Sequence, residues 1–419
     1  MSRPKVVIVG GGPAGLTAAR ALAATADVVV LERESSAGGI PRHSDHAGYG
    51  VRDLHRFLSG PAYARRLVGA ATQAGATIRT DSMVTGWSGD DLEVTAPDGR
   101  RVIGADAVVL ATGARERPRA ARLIPGDRPT GVYTTGQLQN LVHLHQRTPG
   151  RRAVVVGAEL VSWSAVVTLR EAGCRTILMT STHPRPESYA AFAVAGRFVL
   201  RTPVATRTRV VRLIGRGRVS AVEVEELDTG RRRVVECDTV VFTGDWIPDN
   251  ELARAVGLDM DRASGAPVVD AALRTSRPGV FAAGNLVHPV ETADVAAIGG
   301  RHAAAEVLAW LGGARPSADA VRLRVAEPLR WVSPGLLRAG DPPPSRSRVT
   351  LWTDRLVRRP QVTLTQSGRE IASARLPWVA SPGRALHLPS RVFDAVDFTA
   401  GDTTIGLRGG ERQAAGDSK

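Results

Sequence analysis

Three glycines near the start, Gly10, Gly12 and Gly15 in GxGxxG spacing, constrain the fold more than any other feature of the chain. Before them, Lys5–Val9 is a short continuous apolar run, the pattern of a strand buried on both faces. After them, residues 14–24 are Ala-rich and read as a helix, and Asp27–Leu31 is a second buried strand. Together they make a βαβ unit of about 30 residues with a right-handed crossover. In such a unit Gly10 permits the tight turn, Gly12 lets a pyrophosphate approach the backbone, and Gly15 lets helix and strand pack closely. The helix start at Pro13-Ala14 offers unpaired N–H groups and a positive dipole end to phosphates. Glu32 stands about 20 residues after Gly10, where a carboxylate accepts from both ribose hydroxyls. It disfavours a 2′-phosphate, which the neighbouring Arg33 would favour. The alternative is that the glycines only permit a tight turn.

The remaining pattern extends this unit and then repeats it. Residues 38–50 (GGIPRHSDHAGYG) fit no regular element, and 61–75 read as a helix led by Pro61. Thr77–Arg79 and 83–87 read as strands, 92–95 and 101–103 as a hairpin across Asp98-Gly99, and 106–110 as a buried strand ending at Ala111-Thr112-Gly113. The order restarts with a strand at Arg152–Val156, a helix at 162–172, a strand at 176–179, a hairpin over 219–227 and 233–236, and a buried strand at 239–243. A short strand at 280–283 and a long helix within 292–311 follow. Past the Pro-rich 341–347 segment, short strands at 349–352, 361–365, 371–375 and 385–387 suggest an all-β module with Trp352 and Trp378 in its core. The expected class is α/β: two Rossmann-like dinucleotide-binding domains, the second inserted in the first, plus a small C-terminal all-β domain. The boundaries are 1–115 with 270–315, 116–269, and 320–419 ending in a disordered tail at 411–419.

A net charge of +14 invites a nucleic-acid reading, but Lys5 and Lys419 are the only lysines among 55 basic residues. The arginines spread from end to end, and their densest runs (115–122, 207–218, 231–233) lie in different regions. The Arg-rich stretch 201–218 reads as a solvated strand face. With aromatics at only 4%, no stacking stripe accompanies them, so no nucleic-acid partner is expected. Cys174 and Cys237 are the only cysteines and form no CxxC, which removes a redox dithiol and an iron–sulfur cluster held by this chain alone. Glycines and Arg20 interrupt the apolar stretch at the start, and no run reaches the roughly 18 apolar residues of a membrane helix. A soluble cytoplasmic protein without membrane insertion is expected.

Two further stretches, AVVLATG (107–113) and PGVFAAGN (278–285), follow the glycine turn in order. With it they resemble the FAD contacts of two-dinucleotide-domain flavoproteins, the pyridine nucleotide–disulfide oxidoreductase superfamily. The resemblance spans about residues 5–311. It implies FAD with its adenine end near Glu32 and Val84, its pyrophosphate at Gly10–Gly15 with Ala111, Thr112 and Gly113 nearby, and its ribityl chain near Gly284-Asn285. Most relatives carry Asp where Asn285 stands. Gly39-Ile40 matches the place where relatives lay backbone against the flavin. Arg42, His43, Asp45 and His46 follow, as a flavin-facing acid/base or electron-exit group or as solvent-facing loop residues. In relatives the helix start near 296–301 points at the flavin pyrimidine edge.

The second Rossmann-like turn departs from the family pattern. It reads Gly157-Ala158-Glu159-Leu160-Val161-Ser162, with Glu159 and Ser162 where relatives that use NAD(P)H have glycine. No acidic residue ends the following strand. Glu159 puts bulk and like charge where a pyrophosphate approaches, so weak or absent NAD(P)H binding is expected. The 38–75 stretch and GVYTTGQLQNLV (131–142) are similar to the dithiol-lacking FAD subunits of hydrogen cyanide synthase, opine oxidase and dye-linked proline or hydroxyproline dehydrogenases. That branch implies an FAD-dependent, electron-transferring subunit of a multi-subunit dehydrogenase of amines, amino acids or polyol phosphates. It also implies a second flavoprotein and a small iron–sulfur protein as partners. The alternatives are a stand-alone NAD(P)H-dependent FAD reductase and a catalytically silent flavin-holding scaffold. No residue is singled out as catalytic, and no metal ligand set is expected.

Overall fold

The computed structural model describes residues 3–189, 196 and 199–409. The expected disordered tail at 411–419 lies outside them. The chain forms two compact units interleaved in sequence: residues 1–39, 66–113 and 248–419 in the first, and 40–65 and 114–247 in the second. Residues 40–65, 114–115 and 248–269 therefore fall on the other side of the division from the boundaries expected from sequence.

In the first unit, strand β1 (Lys5–Val9) lies at the centre of a parallel sheet in the order Val280–Ala282, Ala107–Leu110, β1, Asp27–Leu31 (β2), Thr77–Arg79. Val6 pairs with Val28 on one side and Ala107 on the other. Val6, Val7 and Ile8 are wholly buried, as a strand covered on both faces requires. Helix α1 (Pro13–Leu22) packs against the Ala293–Leu311 helix, and a Cβ at Gly300 would overlap the Ala14 carbonyl oxygen. Only glycine allows that backbone approach. Met83–Ser88, Asp91–Ala96 and Gly99–Ile103 form an antiparallel sheet. Its second turn is Pro97-Asp98, because Ala96 pairs with Gly99; the loop sits one residue earlier than the sequence suggested.

Residues 320–408 of the same unit build two further sheets. One has five strands, Leu336–Arg338, Ala320–Val325, Thr403–Arg408, Gln361–Gln366 and Arg369–Arg375; the other has three, Leu329–Ser333, Arg348–Thr353 and Leu386–Pro389. Their core holds Val349, Leu351, Val362, Leu364, Leu388 and Ile405. Trp352 stacks on Trp331, with centroids 5.9 Å apart and planes 3° from parallel. Trp378 is not core: it is 76% exposed. It lies beyond Arg375, where strand alternation no longer dictates a direction.

In the second unit the parallel order is Val132–Thr134, Thr239–Phe242, Arg152–Val156, Arg175–Thr180, Val204–Ala205. An antiparallel sheet of Thr208–Ile214, Ala221–Glu226 and Arg232–Glu236 joins it in the chain. The Arg-rich 201–218 stretch is thus only half solvated, since Val210 and Leu213 are buried. The 38–50 stretch is more ordered than its composition suggests. It contains a short 3-10 helix, Ile40–His43, and a strand, Ala47–Tyr49, paired with Leu58–Ser59.

A buried ion cluster fastens the 320–408 sheets to the preceding chain. Asp270 Oδ2 accepts from Arg274 Nε at 2.7 Å and from Arg338 Nε at 3.1 Å, and Arg274 also pairs with Asp341. The Asp270 side chain is 2% exposed. Asp270→Ala leaves two partly buried guanidinium groups short of a counter-charge, so a loss of about 3–5 kcal/mol is expected in urea unfolding. Asp402→Ala, which removes an exposed pair with Arg324, should cost about 0–1 kcal/mol. Equal losses would refute the anchoring role.

Candidate dinucleotide site

The site of the first unit is built where β1 hands over to α1. Gly10 has φ +107° and donates its N–H to the Leu31 carbonyl at 2.9 Å; a Cβ there would overlap the Ala111 carbonyl. A Cβ at Gly15 would overlap the Gly10 carbonyl. Protein packing therefore demands both glycines. Gly12 is different: a Cβ there would find only Gly39 Cα, at 4.0 Å. Nothing among the described residues requires glycine at position 12. A pyrophosphate pressed against the backbone would. Gly12 caps α1 with extended backbone, φ −83° and ψ −173°, with no side chain bonded to the cap and no acidic residue in the first turn. Pro13 opens the helix, and Ala14 packs beneath Gly284 and Gly300.

Glu32 is held by the turn itself. Its Oε2 accepts from the Gly11 N–H at 2.8 Å and its Oε1 from the Glu34 N–H at 2.9 Å. These bonds fix the carboxylate beside the glycine turn and leave each oxygen a further lone pair. Arg33 turns to Asp249, with Nη2 3.3 Å from Oδ2. Asp249 also accepts the Thr112 hydroxyl on its carbonyl, at 2.6 Å, and donates its N–H to the Gly113 carbonyl, at 2.9 Å. Asp249 thus ties Arg33 to the Ala111-Thr112-Gly113 corner; no motif in the sequence marks it. Val84 is buried in its strand opposite Val94.

At the far side, Gly284 has φ +69° and begins a short 3-10 turn. Asn285 Nδ2 donates to the Glu291 carbonyl at 3.0 Å, while its buried Oδ1 meets no partner among the described residues. An orphaned buried acceptor fits a ligand hydroxyl. That oxygen and the open space at Gly12 both suit the ribityl and pyrophosphate portions of an FAD. The start of the Ala293–Leu311 helix holds a carboxylate of the chain's own. Asp294 Oδ1 accepts from the Val295 N–H at 3.0 Å and from the Thr292 hydroxyl, so this dipole end carries its own anion. His302 Nε2 hydrogen-bonds the Ala271 carbonyl at 2.8 Å, the carbonyl accepting.

Gly39, with φ +62°, faces Gly12 across that gap in the first unit, whereas Ile40 begins the second unit's 3-10 helix and is half exposed. The polar loop that follows is engaged locally. His46 Nδ1 lies 2.9 Å from the Ala47 carbonyl, and its ring packs on Tyr49, which in turn packs on Tyr63. Tyr63 donates to Asp53 Oδ2 at 2.6 Å.

The second unit repeats the strand–turn–helix. Gly157 has φ +132°, and Glu159 caps the Leu160–Glu171 helix with φ −80° and ψ −178°, the dihedrals of Gly12 within a few degrees. A Cβ at Gly157 would lie 2.6 Å from Glu159 Oε2, and one at Gly244 would overlap Glu159 Oε1. Ser162, where relatives that use NAD(P)H have glycine, shares a 2.7 Å hydrogen bond with the Thr243 hydroxyl. Burial, reinforced by the Glu159 charge, pushes the Glu187 carboxyl up to about 8. Cys174 and Cys237 belong to separate core clusters, and burial pushes their thiols up to about 11 and about 12.

Residues 4–300 match the family described as pyridine nucleotide-disulphide oxidoreductase. The chain is 28% identical over 357 residues to one of the subunits of opine oxidase from Rhizobium meliloti, covering 76% of this chain and 65% of that protein, just under two thirds of its length. It is 30% identical over 295 residues to the ferredoxin reductase component of chlorobenzene dioxygenase from Cupriavidus sp. (strain PS12), covering 67% of this chain and 66% of that one. Two solved structures share the fold. Thioredoxin reductase of T. acidophilum superposes with a TM-score of 0.62 at 23% identity, over 73% of this chain and 98% of that one. L-proline dehydrogenase from P. horikoshii gives 0.55 at 21% identity, over 74% and 56%. No helix among the described residues is long and apolar enough to cross a membrane. With the glycine turn, the orphaned Asn285 oxygen and a family match over most of its length, the chain belongs to the pyridine nucleotide-disulphide oxidoreductase family and is an FAD-dependent oxidoreductase.

Proposed function

We propose that this chain is the electron-transferring flavoprotein subunit of a multi-subunit dehydrogenase whose substrate is an amine, an amino acid or a polyol phosphate. One observation carries the reading: an FAD seat complete in its glycines stands in a chain with no redox dithiol, whose two thiols are buried and protonated near neutral pH. The likeness to a component of opine oxidase supports it. The likeness to a ferredoxin reductase component supports a second reading, a stand-alone NAD(P)H-dependent reductase, which the side chain of Glu159 opposes.

On the first reading, Gly10, Gly12, Pro13, Ala14 and Gly15 cradle the pyrophosphate, with Ala111, Thr112 and Gly113 beside them. Glu32 accepts from the adenosine ribose, Arg33 and Val84 flank the adenine end, Gly39 and Ile40 back the flavin, and Gly284 and Asn285 hold the ribityl chain. Bound FAD supplies the redox chemistry, taking up two electrons and passing them on. The chain's part is to orient it and exclude water. The second unit is an inserted domain, residues 320–419 are a C-terminal β domain, and the whole is cytoplasmic. A second flavoprotein and a small iron–sulfur protein complete the assembly, since this chain offers no cluster ligands.

Gly12→Ala tests the seat. FAD affinity should fall at least about tenfold, with the flavin-free protein's melting temperature unchanged, because the new methyl meets only Gly39 Cα, at ordinary contact distance. Gly15→Ala should lower that melting temperature, because its methyl meets backbone. If Gly12→Ala binds FAD normally, the assignment fails. Purification from the native host should bring a second flavoprotein and a cysteine-rich chain. Isolation as a lone protein whose flavin is bleached rapidly and saturably by NADH or NADPH would favour the second reading.

A further inference from the structure

The two glycine turns of this chain have one backbone and two different contents. After Gly12 the cap position opens onto space; after Gly157 it carries a glutamate whose carboxylate lies between Gly157 and Gly244. Those glycines end adjacent parallel strands, Arg152–Val156 and Thr239–Phe242. The crevice outside the carboxyl ends of such strands is where an α/β sheet takes a dinucleotide. Glu159 is 8% exposed, and its buried Oε1 has no hydrogen-bond partner among the described residues. We infer that Glu159 is the residue that decides this chain's donor specificity: its side chain fills the pyrophosphate position of the second unit and shuts NADH and NADPH out.

Three observations carry the inference. First, Gly12 and Glu159 share cap dihedrals, so the second turn has not collapsed; its backbone remains that of a working seat. Second, the carboxylate does not turn out to solvent, as an incidental surface substitution would. It lies inward, with one oxygen against each glycine. Third, a carboxylate at a helix N-terminus interacts favourably with the same dipole end that would otherwise attract phosphate. Arg122 stands within electrostatic reach, its Nη2 donating to the Thr243 carbonyl at 2.9 Å and the Gly244 carbonyl at 2.8 Å. A diphosphate would have to displace Glu159 or meet its charge at close range in a poorly screened crevice. Ser162 adds no further block, because its hydroxyl is absorbed by Thr243. The inference deepens the proposed function: a flavoprotein closed to NAD(P)H exchanges electrons through another chain.

The test is nucleotide binding, which needs neither substrate nor partner. Calorimetric titration of the flavin-loaded full chain with NADH, NADPH and ADP-ribose should show no saturable binding. Glu159→Gly should raise the affinity for at least one of them by about tenfold or more. Glu159→Gln keeps the volume between the two glycines and should gain less than about threefold. Glu159→Ala, which keeps a Cβ and so adds no backbone freedom at the cap, repeats the test should the glycine variant fold poorly; flavin content and tryptophan fluorescence report folding. Saturable binding of NADH or NADPH by the unmodified chain would overturn the inference. So would a well-folded Glu159→Gly or Glu159→Ala protein that binds no better, or a Glu159→Gln protein that gains as much. Lone purification of the chain would leave these titrations intact, so failure of the multi-subunit reading is distinguishable from failure of this one.

Discussion

Close backbone approach is the constraint on which the first unit depends. Gly15 brings α1 against the carbonyl of Gly10, and Gly300 brings a second helix against the carbonyl of Ala14. A Cβ at either place overlaps a backbone oxygen, which no rotamer change relieves. These contacts fix the position of α1 between the sheet and the Ala293–Leu311 helix, and so fix where its unpaired N–H groups lie. The site's electrostatics follow from packing. The helix dipole acts on a ligand only because the glycines hold the helix end within reach of the space at Gly12.

The two turns separate what backbone decides from what a side chain decides. Their caps match in φ and ψ, their helices start on the same extended residue, and each first glycine has positive φ. At Gly12 the chain leaves the space beside the cap open, and at position 159 it places a carboxylate there. The fold is therefore shared by the two units while their ligand chemistry is set by a few atoms beyond Cβ. Family membership over residues 4–300 describes the first of these properties and does not by itself determine the second.

The strands under both sites are legible because burial on both faces writes a continuous apolar run. Lys5–Val9, Asp27–Leu31 and Arg152–Val156 coincide with the runs that predict them. The glycine turn is legible because each glycine answers a separate steric demand. Partners supplied by distant segments are not. Asp249 reaches Arg33 and Thr112 across long stretches of chain, and no local pattern encodes that pairing. Gly300 lies in an Ala-rich helix, where a Gly-Gly pair is the available sign of close packing. Asp294 accepts one first-turn N–H of the Ala293–Leu311 helix, and an acidic residue in that turn is plain in the sequence. Trp378 departs from its expected place because strand alternation carries no information past the point where the strand stops.

Electron flow through such a chain has few routes. A dithiol route needs two neighbouring, accessible thiols; Cys174 and Cys237 sit in separate cores with their thiolates disfavoured by burial. A nicotinamide route needs a place for a diphosphate, and Glu159 lies where one would bind in the second unit. On the proposed reading, transfer between cofactors held by different chains is what remains. That route asks little of side chains beyond holding a flavin in a fixed and shielded position. The chain's polar investment agrees with it. Glu32, Arg33, Thr112, Asp249 and Asp294 all bond to backbone or to one another around the seat, and none is placed as an isolated acid or base. A chain that positions its cofactor and leaves substrate chemistry to a neighbour needs this economy of reactive groups.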